Sequence, residues 1–385
     1  MKTILHIKHL YLPISETFVY EYIRGIKNYH CIVASVLTKN LKLFPYNELF
    51  SADSEPLYKQ YWNYIIQKAT RVFRTQYRIT PFYDKIVRNY KPDLLHAHFG
   101  MEGVQSLFLK HRYGIPLLTI FYGVDFSVKS KETYWKKAFK KLFNEGDLFI
   151  VLSEDMKNDL TNIGCPSAKI KVHRLGIDIN KFKFTVRKPQ KSGEPIIIYS
   201  CARFTEKKGL EYLIKAFAKV RNKYRNIILK IVGDGPLRER LFKLTEKLHL
   251  KECVHFLGYL PYQELPCMLY NSHIFVLPSV TASNGDKDEI SMVIVEALAT
   301  GLPVVTSYHA GINEVIKDGV HGFLVHERNV DEIAEKLNIL IENQSLWKDI
   351  GLAGRTLVEN EFDIEKQIPK LEYIYSQLIK QRVSQ

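Results

Sequence analysis

The residues best suited to chemistry lie in Asn284–Gly301, which reads NGDKDEISMVIVEALATG. Asp288 and its neighbour Glu289 precede the apolar run Ile290–Ala299, and Glu296 interrupts that run. A lone carboxylate in so apolar a run is costly to bury, so we expect Glu296 to face a polar ligand or a basic side chain. The run predicts a helix, whose free first-turn amides and dipole form a natural seat for phosphate. The pattern indicates a nucleotide-sugar site.

Two cations stand at the end of a predicted strand in the sequence SCARFTEKKG, namely Arg203 and Lys208. Fixed cations at such a place can neutralise a diphosphate, whose departure is the electrostatic problem of glycosyl transfer. A solvated turn is the alternative, because basic residues crowd the loops of any basic protein. After the next strand, Gly233 and Gly235 form a tight turn where the backbone could approach phosphate closely.

The elements that must position these groups alternate as strand and helix along the whole chain. A chain of 385 residues is too long for one ordinary core. We predict an α/β protein with two doubly wound Rossmann-like domains that face a cleft, where ligands bind at the carboxyl ends of the strands. The polar stretch 183–194 is the predicted linker between domains 1–182 and 195–363.

Charge and composition narrow the range of possible partners and compartments. The net charge of +14 predicts an anionic partner, which could be a nucleic acid, a phosphorylated substrate or an acidic lipid surface. Five scattered cysteines without close spacing indicate reduced thiols in a cytosolic compartment. No apolar window is long enough to span a membrane, and the N-terminus predicts a strand instead of a signal peptide.

Two stretches, 57–89 and 132–143, interleave basic and aromatic residues in a helical pattern. Such residues often cover a helix surface or fill a core without any partner. We favour an amphipathic face that lies on anionic lipid, where each cation contributes about 1 kcal/mol. Nucleic acid is not expected, because no recognised nucleic-acid motif is present.

Several further motifs give the chain a family resemblance. The second half resembles the retaining glycosyltransferases of family four, which have the two-domain GT-B fold, and the first half is similar to their exopolysaccharide and lipopolysaccharide subgroup. The second-half motifs are ARFTEKKG at 202–209, VGDGPL at 232–237, LPS at 277–279, VEALATGLPVV at 295–305, HAGINEVI at 309–316 and GFLV at 322–325. The first-half motifs are LPISETF at 12–18, PDLLHAHFG at 92–100 and VHRLGID at 172–178.

The resemblance implies an activity and a domain layout. A retaining, metal-independent hexosyltransferase would move a sugar from a nucleotide diphosphate sugar to a lipid-linked or growing polysaccharide acceptor. The second domain would bind the donor, the first would bind the acceptor, and the C-terminal helix 364–385 would return to the first domain. The protein would be cytoplasmic and peripheral on the inner face of the plasma membrane. The alternatives are a sugar-nucleotide epimerase or phosphorylase, and a non-catalytic adaptor.

The resemblance also assigns donor-site roles. Arg203 and Lys208 fall on the pyrophosphate-binding pair, and Glu296 falls on the acid that hydrogen-bonds the ribose. The family's first acid, beside the hydroxyls of the transferred sugar, aligns with Asp288, while Glu289 replaces the usual glycine, so both acids remain candidates. Predicted donor contacts come from Glu296, Glu289, Ser291, Met292, Gly233, Gly235 and Tyr122.

The first half contributes the remaining candidates. Many relatives have histidine where this chain has Tyr122, which can still hydrogen-bond a sugar. Asp125 is a candidate for positioning donor or acceptor, with a helix N-cap as the alternative. His96 and His98 share one strand face, but no third metal ligand of suitable spacing accompanies them, so we predict a packed His96 and a substrate-facing His98. The predicted catalytic residues are Arg203, Lys208, Asp125 and Asp288, and the predicted acceptor residues are His98, Ser15 and Glu16.

No metal or other cofactor is expected. The triplet Asp286-Lys287-Asp288 matches the D-x-D pattern of metal-dependent glycosyltransferases. Such triplets often arise by chance, and in this fold cationic side chains and a helix N-terminus replace the metal. No side chain stands out as a covalent nucleophile, so we favour same-face attack, with a glycosyl enzyme on Asp125 as the alternative.

Overall fold

The computed structural model of the chain describes residues 1–54, 76–191 and 193–383. Two compact α/β units divide these residues. The first unit comprises Met1–Leu152, Lys157–Leu175 and the chain from Gln367, and the second comprises Ser153–Met156 and Gly176–Lys366. The chain enters the main part of the second unit at Gly176, ahead of the stretch 183–194 on which we place the linker. The first basic aromatic stretch, predicted for 57–89, lies outside the described residues up to residue 75.

A seven-stranded parallel sheet forms the centre of the first unit. Its strands are β1 (Thr3–Tyr11), β2 (His30–Thr38), β3 (Leu49–Ser51), β4 (Leu94–His98), β5 (Leu117–Ile120), β6 (Leu148–Val151) and β7 (Ile170–Val172). They lie in the order β3-β2-β1-β4-β5-β6-β7. The central strands are buried on both faces, as a helix-covered parallel sheet requires, and β1 and β4 include the buried histidines His6, His96 and His98 among their apolar residues.

Helices connect these strands. They are α1 (Thr17–Gly25), α2 (Gln76–Tyr90), α3 (Gly100–Tyr113), α4 (Val124–Ser127), α5 (Thr133–Glu145) and α6 (Glu154–Asn162). Because β1 pairs with both β2 and β4, the strand order reverses beside β1. The carboxyl ends of β1 and β4 therefore border the topological switch point of this sheet, where ligands bind in open α/β folds.

A six-stranded parallel sheet forms the second unit. Its strands are β8 (Ile196–Cys201), β9 (Ile227–Val232), β10 (Val254–Gly258), β11 (Ile274–Leu277), β12 (Val304–Ser307) and β13 (Phe323–Val325). Its helices are α7 (Leu210–Lys223), α8 (Arg238–Lys247), α9 (Leu265–Tyr270), α10 (Met292–Ala299), α11 (Val330–Glu342) and α12 (Leu346–Glu361). The order β10-β9-β8-β11-β12-β13 places the switch point between β8 and β11.

The last helix, α13 (Ile364–Val383), packs within the first unit from Gln367 onward. Glu372 of this helix accepts hydrogen bonds from the backbone amides of Lys27 and Asn28, each at 3.0 Å. The phenol of Tyr375 hydrogen-bonds Nδ1 of His96 at 2.6 Å. These contacts confirm the predicted return of the C-terminal helix. Within the described ranges, no helix combines the length and apolarity needed to cross a membrane.

Helix α12 and three short strands were not predicted from the sequence. The strands β3, β7 and β13 have only three residues each, too few for a periodic pattern. In α12, Gly351 and Gly354 weaken the helical pattern because glycine has a low helix propensity. Both are needed for packing: a Cβ on Gly351 would lie 2.3 Å from the carbonyl oxygen of Gly301, and one on Gly354 would lie 2.8 Å from the side chain of Leu298. The two glycines therefore let α12 approach α10 closely.

Candidate active site

The turn that carries Lys208 leaves the end of β8 at the switch point of the second unit. A 3-10 helix at Glu206–Lys208 leads to Gly209, which has a left-handed φ of 63° and caps α7. A Cβ at Gly209 would lie 1.9 Å from the carbonyl oxygen of Pro278, so only glycine allows this approach. The lysine turn is consequently packed against the segment that follows β11.

Three successive side chains of this turn bind the loop after β11. Glu206 accepts hydrogen bonds from the amide and hydroxyl of Ser283, at 2.9 and 2.8 Å. The next two residues form ion pairs: Lys207 with Asp286 at 3.0 Å, and Lys208 with Asp288. This parallel set of contacts fixes the loop that leads into α10 against the carboxyl end of β8.

The Lys208 pair is the electrostatic centre of the site. The two side chains are mostly buried, with exposed fractions of 13% for Lys208 and 15% for Asp288. Lys208 also donates a hydrogen bond to the hydroxyl of Ser291 at 3.2 Å. Burial opposes ionisation of Asp288, but the charges of Lys208 and Lys207 outweigh this effect and hold its pKa below the ordinary value. Two of the predicted site residues, Lys208 and Asp288, are thus in direct contact.

A second pair, His309 and Glu327, holds the backbone of Asp288. His309 is buried, and its Nε2 accepts a hydrogen bond from the backbone amide of Asp288 at 3.1 Å. Its Nδ1 lies 2.5 Å from Glu327, which also accepts from the amide and hydroxyl of Thr281. His309 opens the HAGINEVI motif, yet the sequence did not indicate this role because the contact depends on the backbone of a loop.

Asp288 and Glu289 occupy different environments. Glu289 is buried, and one of its oxygens accepts a hydrogen bond from the hydroxyl of Ser153 at 2.8 Å. Ser153 belongs to the short segment that packs with the second unit. Glu289 is therefore engaged in packing, whereas Asp288 lies beside the cation expected to bind the diphosphate.

The helix that carries Glu296 begins later than predicted. The sequence predicted a start at Ile290, but α10 begins at Met292 with Ser291 at the N-cap position. Glu296 accordingly lies about one turn inside the helix. It is buried, and burial raises its pKa to about 8, partly opposed by a hydrogen bond with Tyr262. This shift favours the protonated form of Glu296 at neutral pH.

The Gly233–Gly235 turn packs against the loop that carries Arg203. A Cβ on Gly233 would lie 1.9 Å from the carbonyl oxygen of Ala202, and one on Gly235 would lie 2.7 Å from that of Phe204. The Phe204 amide donates to the carbonyl of Asp234 at 2.9 Å, which binds the two loops together. Both glycines therefore permit a close approach to the backbone of the Arg203 loop, and their predicted contact with phosphate stays a prediction. Arg203 itself is exposed at the surface of this loop.

In the first unit, two predicted residues meet: Tyr122 shares a 2.8 Å hydrogen bond with Nδ1 of His98. His98 is buried, and its Nε2 lies 3.0 Å from Nδ1 of His6. Both ring nitrogens are therefore engaged inside the unit, and the substrate-facing role of His98 stays a prediction. His96 is buried as predicted.

Asp125 is fully buried, and its carboxylate accepts three backbone hydrogen bonds. The donors are the amides of Gly100, Tyr122 and Gly123, at 2.9, 3.3 and 3.0 Å. Burial raises the pKa of Asp125 to about 6, while these amide donors oppose the rise. Asp125 joins the turn after β5 to the start of α3 through these amides. Its predicted role in positioning donor or acceptor stays a prediction.

A buried ion pair was only partly visible in the sequence. Glu16 was predicted as an acceptor residue, and it pairs with Lys8, whose ammonium lies 4.3 Å from the ring centroid of Phe99. Burial raises the pKa of Glu16, and Lys8 opposes the rise. Glu102 also lies in this region, and burial raises its pKa to about 7. The other acceptor candidate, Ser15, lies in a 3-10 turn at Ile14–Glu16.

Family models match both halves of the chain. Residues 181–357 match the group 1 glycosyl transferases, and residues 43–181 match Glycosyltransferase Family 4. The chain is 34% identical over 283 residues to the amylovoran biosynthesis glycosyltransferase AmsK of Erwinia amylovora, covering 72% of this chain and 69% of that protein. It is also 34% identical over 294 residues to WcaL of Salmonella typhimurium, a glycosyltransferase assigned to colanic acid biosynthesis, covering 74% of this chain and 72% of that protein.

Solved structures show the fold. The Anabaena protein Alr3699/HepE, crystallised with UDP, matches 98% of this chain and all of its own with a TM-score of 0.78 at 20% identity. The sucrose-phosphate synthase of Thermosynechococcus elongatus matches 99% of this chain and 100% of its own with the same TM-score of 0.78, at 18% identity. These likenesses confirm the predicted GT-B fold.

The raised pKa of Glu296 predicts a pH dependence of stability. Between its ordinary pKa of 4.5 and its folded value of about 8, the folded chain holds a proton that the unfolded chain releases. The free energy of unfolding should therefore fall as pH rises through this window. Glu296→Gln cannot ionise, so we expect its stability relative to the wild type to increase with pH, as measured by urea denaturation between about pH 5 and pH 8.

A matched control is Glu335→Gln, which makes the same chemical change at an exposed position on α11. Its stability difference from the wild type should stay constant with pH. A Glu296→Gln difference that is equally constant would show that Glu296 is not a buried neutral acid.

Proposed function

The chain belongs to glycosyltransferase family 4, and from this premise we propose that it transfers a sugar from a nucleotide diphosphate sugar to a lipid-linked or growing polysaccharide acceptor. The names of AmsK and WcaL support a role in exopolysaccharide biosynthesis. The UDP complex of the Anabaena protein supports a nucleotide donor. In this proposal the second unit binds the donor and the first binds the acceptor.

The observation that carries the proposal is the mostly buried Lys208–Asp288 pair at the switch point between β8 and β11. A diphosphate needs positive charge where its negative charge increases during bond breaking, and a fixed lysine in a shielded place supplies it efficiently. Arg203, exposed on the adjacent loop, is the second cation of the proposed pair. Glu296, on the helix that follows, is the proposed ribose ligand.

We further propose that the reaction retains configuration and requires no metal. Asp286 and Asp288, the two acids of the D-x-D triplet, each pair with a lysine of the opposite loop, which supports a role for cations in binding the diphosphate. Asp125 uses both carboxylate oxygens on backbone amides and is a poor candidate for a covalent nucleophile. Same-face attack, assisted by the departing diphosphate, fits these contacts better than a glycosyl enzyme.

Removal of either proposed diphosphate ligand should abolish turnover. We expect Arg203→Ala and Lys208→Ala each to lower kcat by at least about 100-fold, the typical loss of one charge-stabilising donor. The assay follows transfer from a panel of nucleotide sugars to a lipid-linked acceptor, and NMR of the product reads the anomeric configuration. The wild type should give a product with the configuration of the donor.

Lys207→Ala is the matched control, because Lys207 is the adjacent lysine but pairs with Asp286, farther from α10. Its kcat should stay within about tenfold of the wild type, well above the 100-fold loss expected for a charge-stabilising donor. Near-normal turnover in Lys208→Ala would contradict the assignment. Conversion of donor in the absence of acceptor would instead indicate an epimerase.

Substitutions at the paired acids should separate their roles. We propose Asp288 as the acid that contacts the transferred sugar, so Asp288→Asn should lower kcat strongly. It should also lower thermal stability, because it leaves Lys208 without its ion-pair partner. Glu289→Gln should act mainly on stability, since Glu289 is buried against Ser153. Steady-state kinetics combined with thermal unfolding distinguishes the two. A large loss of kcat in Glu289→Gln alone would reverse the assignment.

Helix α5 is the proposed membrane-facing surface. One side buries Phe139, Leu142 and Phe143, and the other exposes four lysines along the helix, which are Lys136, Lys137, Lys140 and Lys141. Cations so arranged are attracted to anionic lipid, with about 1 kcal/mol from each. We therefore propose a peripheral position on the cytoplasmic face of the plasma membrane.

Reversal of these charges should weaken vesicle binding. The variant that replaces all four α5 lysines with Glu should lose most of its binding to phosphatidylserine vesicles in a sedimentation assay, and wild-type binding should fall as salt increases. The control makes the same charge change in the second unit, at Lys219, Lys223, Lys243 and Lys247. Equal loss in the control would indicate attraction by net charge alone and would contradict a specific α5 surface.

A further inference from the structure

Three buried histidines converge inside the first unit, on two neighbouring strands. His6 of β1 lies opposite His96 of β4 in the parallel register, and His98 follows two residues later on the same face. Each offers a ring nitrogen, and these atoms all lie within 4.8 Å of one another. The exposed fractions are 1% for His6 and 2% for His96 and for His98. The prediction that no third ligand accompanies His96 and His98 is wrong, because strand pairing brings in His6 from a distant part of the sequence.

Two of the rings have an outer hydrogen bond at Nδ1 of the kind that metal-binding imidazoles make. Nδ1 of His96 is hydrogen-bonded to the phenol of Tyr375 at 2.6 Å, and Nδ1 of His98 to that of Tyr122 at 2.8 Å. Where Nδ1–H donates to a phenol oxygen, Nε2 keeps its lone pair, which is how outer contacts orient metal ligands in proteins. Nε2 of His96 has no hydrogen-bond partner among the described residues. A buried imidazole nitrogen without a partner is costly and points to an occupant.

We propose that His6, His96 and His98 bind one divalent transition metal ion, with Zn²⁺ as the first choice. Neutral imidazoles suit Zn²⁺ and its neighbours and are poor ligands for Mg²⁺ or Ca²⁺, which prefer oxygen. A tetrahedral site with metal–nitrogen bonds of 2.0–2.1 Å places its nitrogens about 3.4 Å apart. The 3.0 Å contact between Nδ1 of His6 and Nε2 of His98 is already close to this spacing. Small rotations of the rings bring the set together.

The fourth position falls to water, because within the described ranges no other histidine, cysteine or carboxylate joins this group. The bound ion would link β1 and β4 to α13 through the hydrogen bond that Nδ1–H of His96 donates to the Tyr375 phenol. Its role is to stabilise the first unit, and it lies outside the donor machinery of the second unit. The inference is therefore independent of the proposed transfer reaction and of its metal requirement.

The test uses the untagged full-length chain after chelator treatment. Titration with Co²⁺ should give one equivalent bound with the intense visible bands of tetrahedral coordination, and Zn²⁺ should displace it and raise the melting temperature. His6→Asn should abolish both effects. Tyr375→Phe keeps the ring and removes only the outer hydrogen bond, so it should weaken Zn²⁺ affinity by about 10- to 100-fold.

The control His111→Asn removes a histidine of α3 whose side chain is 53% exposed, and it should bind as the wild type does. The proposal is overturned if the wild type binds less than one equivalent, or if His6→Asn and His111→Asn bind equally. Should His6→Asn fail to fold, Tyr375→Phe decides: an affinity equal to that of the wild type excludes the triad as the site.

Discussion

The second unit depends on one interaction, the ion pair between Lys208 and Asp288. Each partner lies on a loop that follows a different strand, β8 or β11, and the reversal of strand order between them is the reason that the loops meet. Lys208 would otherwise be a buried cation without compensation, which is costly. Asp288 stabilises the Lys208 cation, and the same geometry keeps Lys208 near the N-terminus of α10.

The surrounding contacts hold the two loops that carry Lys208 and Asp288 in place. Gly209 permits the lysine turn to touch Pro278, and Glu206 and Lys207 fix the opposite loop at two further points. His309 and Glu327 hold the backbone of Asp288 from the far side. Most of these groups carry no chemistry of their own, yet each restricts the position of a group that we propose to be reactive.

The sequence predicted the fold class well because both signals involved are local. Alternating strands and helices indicate a parallel sheet, and the acids before the α10 run indicate a donor site, which stays a prediction. The contacts that the sequence did not predict join residues that are far apart in the chain. His6 joins His96 only through strand register, and His309 reaches Asp288 only through loop geometry. Asp125 was placed at the site by its motif, but its three amide partners are visible only in the folded chain. Helix α12 was not predicted, because the glycines that allow its packing also weaken the helical pattern of its sequence.

The glycines of α12 have a consequence for how the sequence of such a protein can change during evolution. Gly351 of α12 rests on the carbonyl of Gly301, just past the end of α10, so the close approach of these two helices depends on a residue outside the proposed site. A larger side chain at that place would collide with this carbonyl and require one of the helices to shift. Under the proposed function, substitution at this helix crossing is a route to altered donor preference that leaves the proposed donor ligands unchanged.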